Sequence, residues 1–347
     1  MPFRDVTGHR ALLALLSRAI LRETLPQSLI FSGPDGIGKK LAAIGAAQAL
    51  NCQQRLTSDA PGSAPLDACG ICPVCRRIAQ GNHPDVILTT GVVSMEQVRG
   101  AIDSSGYRPF EGRLRVFIFD DADRLSSEVQ NALLKTLEEP PPSSSFILVS
   151  SRPELLLPTV RSRCPMLRFG RLSPLEIEGL LVERHGFDAQ QARAASLVGE
   201  GSVAQALASS SEEGGMTRGL IEQVLQTVQS ARSPADRLRA AGMLLEPGEA
   251  PRPRGRTKGK SLSASDRELL GQRLASLTAT LRDVAALSTG ADRRCLSALP
   301  TSELEALGQG FGTERLLAAF ATIAKAQEAL DRNVSPKNVA DWLAMQI

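Results

Sequence analysis

Residues 28–52 read SLIFSGPDGIGKKLAAIGAAQALNC, and this stretch decides the fold. Its opening residues form a short apolar run of the kind found in a buried strand. GPDGIGKK at residues 33–40 is a glycine-rich turn, and the Ala- and Leu-rich remainder reads as a helix. Strand, turn and helix in this order are what a phosphate-binding loop requires. Gly33, Gly36 and Gly38 would let backbone N–H groups turn inward around phosphate oxygens, and Lys39 would reach the β- and γ-phosphates of ATP or ADP. One position departs from the G-x-x-x-x-G-K-[ST] pattern. Lys40 stands where a hydroxyl would meet Mg²⁺, and an ammonium has no lone pair and repels the cation. Nucleotide binding is expected to survive with a weakened Mg²⁺ site.

Downstream, the apolar run VFIFDD at residues 116–121 ends in two acids. Asp120 is placed to hold Mg²⁺ or its water. Asp121 lies where related ATPases use a Glu to orient the attacking water. An Asp carboxylate falls back by about 1 Å, a misplacement that can cost on the order of 100-fold. Around this strand, DVILTT and FILVSS read as further strands. Residues 10–23, SMEQVRGAIDSSG capped by Ser94, and SSEVQNALLKTLEE capped by Ser126 or Ser127 read as helices. Alternating strands and helices predict an α/β domain with a parallel sheet over residues 1–170. Beyond about residue 171 the strand signals stop. Residues 171–212 read as a small helical unit and residues 213–347 as longer amphipathic helices, with no internal repeat.

Six cysteines are present. Cys69, Cys72 and Cys75 are spaced C-x2-C-x2-C, and sixteen residues separate Cys52 from Cys69. Four thiolates suit a closed tetrahedral Zn²⁺ site, which would be structural and would pin an insert over about residues 52–85. The polar stretch 53–68 reads as a loop within it. His83 fits a turn before a strand better than a metal ligand, and Cys164 and Cys295 read as packing residues.

Aromatic residues make up only 3% of the chain, so its cores must be built from Leu, Ala, Val and Ile. No apolar run approaches the ~20 residues that a bilayer needs, and the start MPFRDVTGHR lacks a secretory apolar stretch; a cytoplasmic protein without a membrane partner is expected. The net charge is +3. Arg252, Arg254, Arg256, Lys258 and Lys260 crowd one segment, and setting those five aside leaves −2. The global charge is therefore no argument for nucleic-acid binding. The Pro/Gly-rich stretch around residues 246–263 that holds them reads as a flexible surface loop.

Several strings resemble the bacterial DNA polymerase III clamp-loader family of AAA+ proteins. They are VTGHRALLALLSRAI, SLIFSGPDGIGKK, GNHPDV, RVFIFDDADRLSSEVQNALLKTLEEPP, FILVSSRPELLLPTVRSRC and, at the end, NVSPKNVADWLAMQI. The resemblance implies an AAA+ P-loop domain with a zinc-binding insert, a helical lid domain and an all-α C-terminal collar that joins subunits. It implies partners: gamma/tau-type motor subunits, a delta subunit, a sliding clamp, and primer-template DNA through the assembled complex. SRC at residues 162–164 resembles the motif whose arginine acts across a subunit boundary, so Arg163 would reach the γ-phosphate held by a neighbour. GSVAQAL at residues 201–207 resembles a motif in which the motor carries a phosphate-sensing Arg, and here Ala204 stands at that position. Ser150 or Ser151 would hold the polar sensor after its strand. Lys40, Asp121 and Ala204 together favour a subunit that hydrolyses little or no ATP; the alternative is an ATP-hydrolysing motor subunit.

Overall fold

The computed structural model describes residues 1–57, 65–91, 93–246, 262–289, 304–305, 307–308, 312–332 and 334–347. The basic segment 252–260 and Cys295 lie outside the described residues. The chain divides into two units, residues 1–185 with 200–204, and residues 186–199 with 205–347.

The first unit is built on strands β1 (Ser28–Ser32), β4 (Val86–Thr89), β5 (Arg115–Phe119), β6 (Ser144–Ser150) and β7 (Met166–Arg168). They form one sheet in the order β4-β5-β6-β1-β7, with every pairing parallel. Two short strands, β2 (Leu56–Thr57) and β3 (Leu66–Asp67), make a separate antiparallel ladder. The sheet is covered on both faces, and the side-chain alternation shows how. Leu29, Phe31, Val116, Ile118, Ile147 and Val149 enter one core, with the helices α1 (Arg10–Leu21) and α2 (Lys39–Asn51). Ile30, Phe117, Phe119, Phe146 and Leu148 enter the other, with α4 (Met95–Ser105) and α5 (Ser127–Glu138). Adjacent residues point to opposite faces and both faces are dry, so the strands read as unbroken apolar runs. Phe117 and Phe146 stack across β5 and β6 with centroids 4.9 Å apart.

The helix ends follow their local chemistry. Ser94 closes a capping box with Gln97 at the start of α4, and Ser126, not Ser127, caps α5 by accepting from Val129 N–H. Helix α1 stops at Leu21, two residues short of its apolar pattern, because Glu23 turns into the left-handed region at φ 56°. Three strands escape the sequence pattern. Edge strand β7 pairs on one side only and is half-buried, and the β2–β3 ladder lies in the stretch that reads as a polar loop. The remaining helices of this unit are α3 (Pro73–Ala79), α6 (Pro158–Arg161) and α7 (Pro174–His185).

The second unit is helical in all its described elements. They are α8 (Ala189–Val198), α9 (Val203–Ser210, begun in the first unit), α10 (Glu212–Ser230), α11 (Pro234–Met243), α12 (Leu262–Ser288), α13 (Thr313–Asp331) and α14 (Pro336–Gln346). Helices α10 and α11 are separate because Ser233 and Pro234 start a new helix with its own capping box. Leu, Val, Ile and Ala side chains fill the core, including Leu225, Leu274, Leu281, Ile323 and Leu343. Buried Arg273 donates to the carbonyls of Met243 and Glu246 and so closes the end of α11. Among the described residues no helix is long and apolar enough to cross a membrane.

Candidate functional site

The loop between β1 and α2 emerges at the carboxyl end of the sheet, beside the ends of β5 and β6. Gly33, Gly36 and Gly38 all have positive φ, at 148°, 72° and 99°. Side chains are excluded at two of them for another reason as well. A Cβ on Gly33 would lie 2.2 Å from the Phe169 carbonyl oxygen, and one on Gly36 would lie 2.3 Å from Ser202 Oγ. No described residue accepts a hydrogen bond from the backbone N–H of Gly36 or Gly38. These donors, with the first turn of α2, are free to meet an anion. The loop therefore fits phosphate.

Lys39 is buried, and its ammonium donates to the carbonyls of Gly33 (2.7 Å) and Pro34 (2.5 Å), with Asp35 3.7 Å away. Burial pushes the Lys39 ammonium below its ordinary pKa, against the carboxylates of Asp35, Asp123, Asp120 and Asp121. Lys40 Nζ forms an ion pair with Asp120 Oδ2 at 3.0 Å. The carboxylate that would hold a magnesium ion is thus bonded to the ammonium that stands at the hydroxyl's position, and the donor set does not fit Mg²⁺. Asp121 is held at φ 54°, and burial, followed by the neighbouring charge of Asp120, raises its pKa.

Ser150 is buried at the end of β6, but its hydroxyl donates to Asp123 Oδ1 at 2.9 Å, which also accepts from Ser151 N–H at 3.0 Å. Arg152 lies 3.6 Å from the other oxygen of Asp123. Sequence reasoning passed over Asp123, although an acid just beyond an acidic strand end was the available signal. Ala204 stands against the loop: its N–H and that of Val203 approach the Gly36 carbonyl at 3.4 and 3.0 Å. The position that would carry a sensing arginine is adjacent to the phosphate loop and holds a methyl group.

Arg163 follows α6 and is exposed. Its Nε pairs with Glu138 Oε2 at 2.9 Å and its Nη1 donates to the Thr159 carbonyl at 3.1 Å. Buried Gln130 fixes the approach to this segment, accepting from Leu157 N–H and donating to the Leu125 carbonyl. Next to Arg163, Cys164 is buried, which pushes its thiol up to about 11 and marks it as packing, not chemistry.

The four cysteines converge. The Sγ atoms of Cys52, Cys69, Cys72 and Cys75 all lie within 4.8 Å of one another, and all four residues are buried. Tetrahedral Zn–S bonds of about 2.3 Å place sulfurs ~3.8 Å apart, close to the 4.0 Å between Cys69 and Cys75. Backbone N–H groups of Cys69, Cys72 and Cys75 donate to the sulfurs of Cys52, Cys69 and Cys72 at 3.3–3.5 Å. Such donors stabilise thiolates, and none of the four is in a disulfide. The cluster is compatible with zinc. The insert is fastened to the domain by Asp67, which accepts from the Phe3 and Arg4 N–H groups, and by Arg4, which donates to the Ala68 and Cys69 carbonyls. His83 is not part of the cluster: its Nδ1 accepts from Asp85 N–H. Asp85 is the hub of that turn, accepting from the N–H groups of Phe110, Glu111 and Gly112 and from Arg115. A cavity of about 670 Å³ flanks the N-terminal segment, lined by Val6, Thr7, Leu175 and Leu180 among others; no residue of the phosphate loop lines it.

A parallel sheet with a glycine loop, a lysine-headed helix and an acidic strand end defines a P-loop-like α/β domain. Residues 8–173 match the family described as DNA polymerase III, delta subunit. Over that segment, a little under half of its length, the chain is similar to DNA polymerase III subunits of both delta and gamma/tau type. It is 34% identical over 214 residues to DNA polymerase III subunit tau of Escherichia coli, covering 59% of this chain and 32% of that one. It is 34% identical over 217 residues to subunit tau of Bacillus subtilis, covering 62% and 36%. The chain thus spans about a third of the length of these curated relatives. Among solved structures, a DNA polymerase III gamma subunit-related protein of Thermotoga maritima aligns over 96% of this chain and 98% of its own at 15% identity and a TM-score of 0.43. Similarity that low adds nothing to the assignment.

Proposed function

We propose that this chain is the delta-prime, or stator, subunit of a DNA polymerase III clamp loader, working in the cytoplasm. It would complete a ring with gamma/tau and delta subunits that loads the sliding clamp onto primer-template DNA. Its own hydrolysis of ATP would be slight or absent, and Arg163 would act in trans on the ATP of a neighbouring motor subunit. In this reading residues 171–212 are the lid and residues 213–347 the collar, and zinc on the four cysteines is structural. The observation that supports it is the Lys40–Asp120 ion pair, which puts an ammonium where a hydroxyl would meet magnesium and occupies the carboxylate that would hold the metal. Asp121 and Ala204 weaken two further parts of the hydrolytic site. Arg163, by contrast, is exposed and held by the surface carboxylate of Glu138 and the Thr159 carbonyl, so its guanidinium can be released to stabilise charge on a phosphoryl group elsewhere.

In the isolated state the chain would show no measurable ATP turnover, while a mixture of motor and delta subunits would need it for full DNA-stimulated turnover. Steady-state turnover by the purified, folded chain that disappears with Lys39→Ala would establish the motor reading instead. That second reading has one observation in its favour: the curated relatives named above are tau subunits.

A further inference from the structure

We infer that the Lys40 ammonium takes the place of magnesium in the phosphate site, so that this chain binds nucleotide without a divalent cation. The inference rests on reading residues 33–40 as a phosphate loop. Lys40 follows Lys39 at the head of α2, and its side chain turns to Asp120, 3.0 Å away at the end of β5. A magnesium ion between those positions needs oxygen donors and a carboxylate free to face it. Here the side chain at the hydroxyl's position is itself the cation, and the carboxylate is already neutralised.

The charges around the loop support this. The carboxylates of Asp35, Asp123, Asp120 and Asp121 surround Lys39, Asp120 also pairs with Lys40, and Arg152 lies 3.6 Å from Asp123. Phosphates entering beside unscreened carboxylates would be repelled, and a metal ordinarily removes that repulsion. Lys40 removes it from within the fold. Its side chain is 40% exposed, so it can stay on Asp120 while remaining open to a second anion. Lys39, at the same helix head, supplies another positive group close to the loop carbonyls. A fixed ammonium carries one charge to magnesium's two and cannot polarise a water as the metal does. The exchange retains binding and forgoes turnover.

The experiment is titration of the full-length chain with fluorescent mant-ADP and mant-ATP, in 5 mM Mg²⁺ and in excess EDTA, to roughly the same ionic strength. Expected for the wild type is a Kd that changes less than about twofold between the two buffers. Lys40→Thr, which supplies the hydroxyl and frees Asp120, should bind at least about tenfold more tightly with Mg²⁺ than in EDTA, and should hold Mn²⁺ detectably by electron paramagnetic resonance when the wild type does not. Wild-type binding that collapses in EDTA would overturn the inference and leave the phosphate-loop reading intact. No binding by the folded wild type in either buffer would overturn both. The wild-type comparison needs no variant, so a Lys40→Thr chain that fails to fold leaves the test decisive.

Discussion

The phosphate loop and the arginine segment of the α/β domain keep their cations in opposite ways. Lys39 is buried on the loop's own carbonyls, and Lys40, although its side chain is 40% exposed, is bonded to Asp120, which is only 16% exposed. Arg163 instead pairs at the surface with Glu138, which is itself 54% exposed, and donates to the Thr159 carbonyl. An exposed pair of that kind is worth roughly 0–1 kcal/mol, so releasing Arg163 to a phosphate costs little. Opening the Lys40–Asp120 pair would leave a largely buried carboxylate without its partner, which costs more. The difference lies in the partners: Lys40 holds a largely buried carboxylate, and Arg163 holds an exposed one.

The largest effect expected from breaking this comparison is at Arg163. In a reconstituted complex, Arg163→Ala should lower turnover at the neighbouring site on the order of 10³-fold, the scale of an arginine finger, with assembly intact by gel filtration. Arg163→Lys should not restore it, because a point charge lacks the planar fork. Next comes the cysteine insert. Cys69→Ser, or a strong chelator under reducing conditions, should release about one equivalent of zinc and destabilise the domain by several kcal/mol, read as a lowered Tm. Metal content below that in the wild type would defeat the four-thiolate assignment.

Asp85 should give a smaller, pH-dependent effect. Burial pushes its carboxyl up, but three backbone N–H groups and the Arg115 guanidinium outweigh burial and hold its pKa below the usual carboxylate range. A depressed folded pKa contributes stability that is complete above the unfolded value of about 4 and is lost as pH falls through the folded one. Asp85→Asn should therefore cost about 1–3 kcal/mol, constant from pH 5 to 8, with the gap to wild type closing below about pH 4 in urea melts. The smallest effect belongs to Glu138. Glu138→Gln should change stability by no more than about 0.5 kcal/mol. If it instead cut the complex's turnover as deeply as Arg163→Ala, Glu138 would be positioning the arginine and the picture of a readily released Arg163 would need revision.

Much of the first unit was legible from residues 28–164. Its strands alternate between two apolar faces, α4 and α5 begin at serines with side chains suited to capping, and four cysteines at metal spacing meet in space. What escaped was whatever depended on distant partners. That Lys40 lands on Asp120 requires β5 to end beside α2, a fact of sheet order that no local pattern contains. Asp123 bonds Ser150 because β5 and β6 are neighbours. Edge strand β7 has too few apolar residues to announce itself, and the hub at Asp85 looked like an ordinary turn because its donors lie 25 to 30 residues away. The boundary between units also differs from the composition break near residue 171, since α7 packs with the α/β unit and α8 does not.

The central claim is that this chain's contribution to turnover lies in Arg163 and not in its own phosphate loop. Its most direct test is DNA-stimulated ATP hydrolysis by complexes reconstituted with wild-type chain, Arg163→Ala or Lys39→Ala, each checked for intact assembly. The account predicts a large loss with Arg163→Ala and a rate close to wild type with Lys39→Ala. Loss of turnover with Lys39→Ala and a normal rate with Arg163→Ala would contradict it.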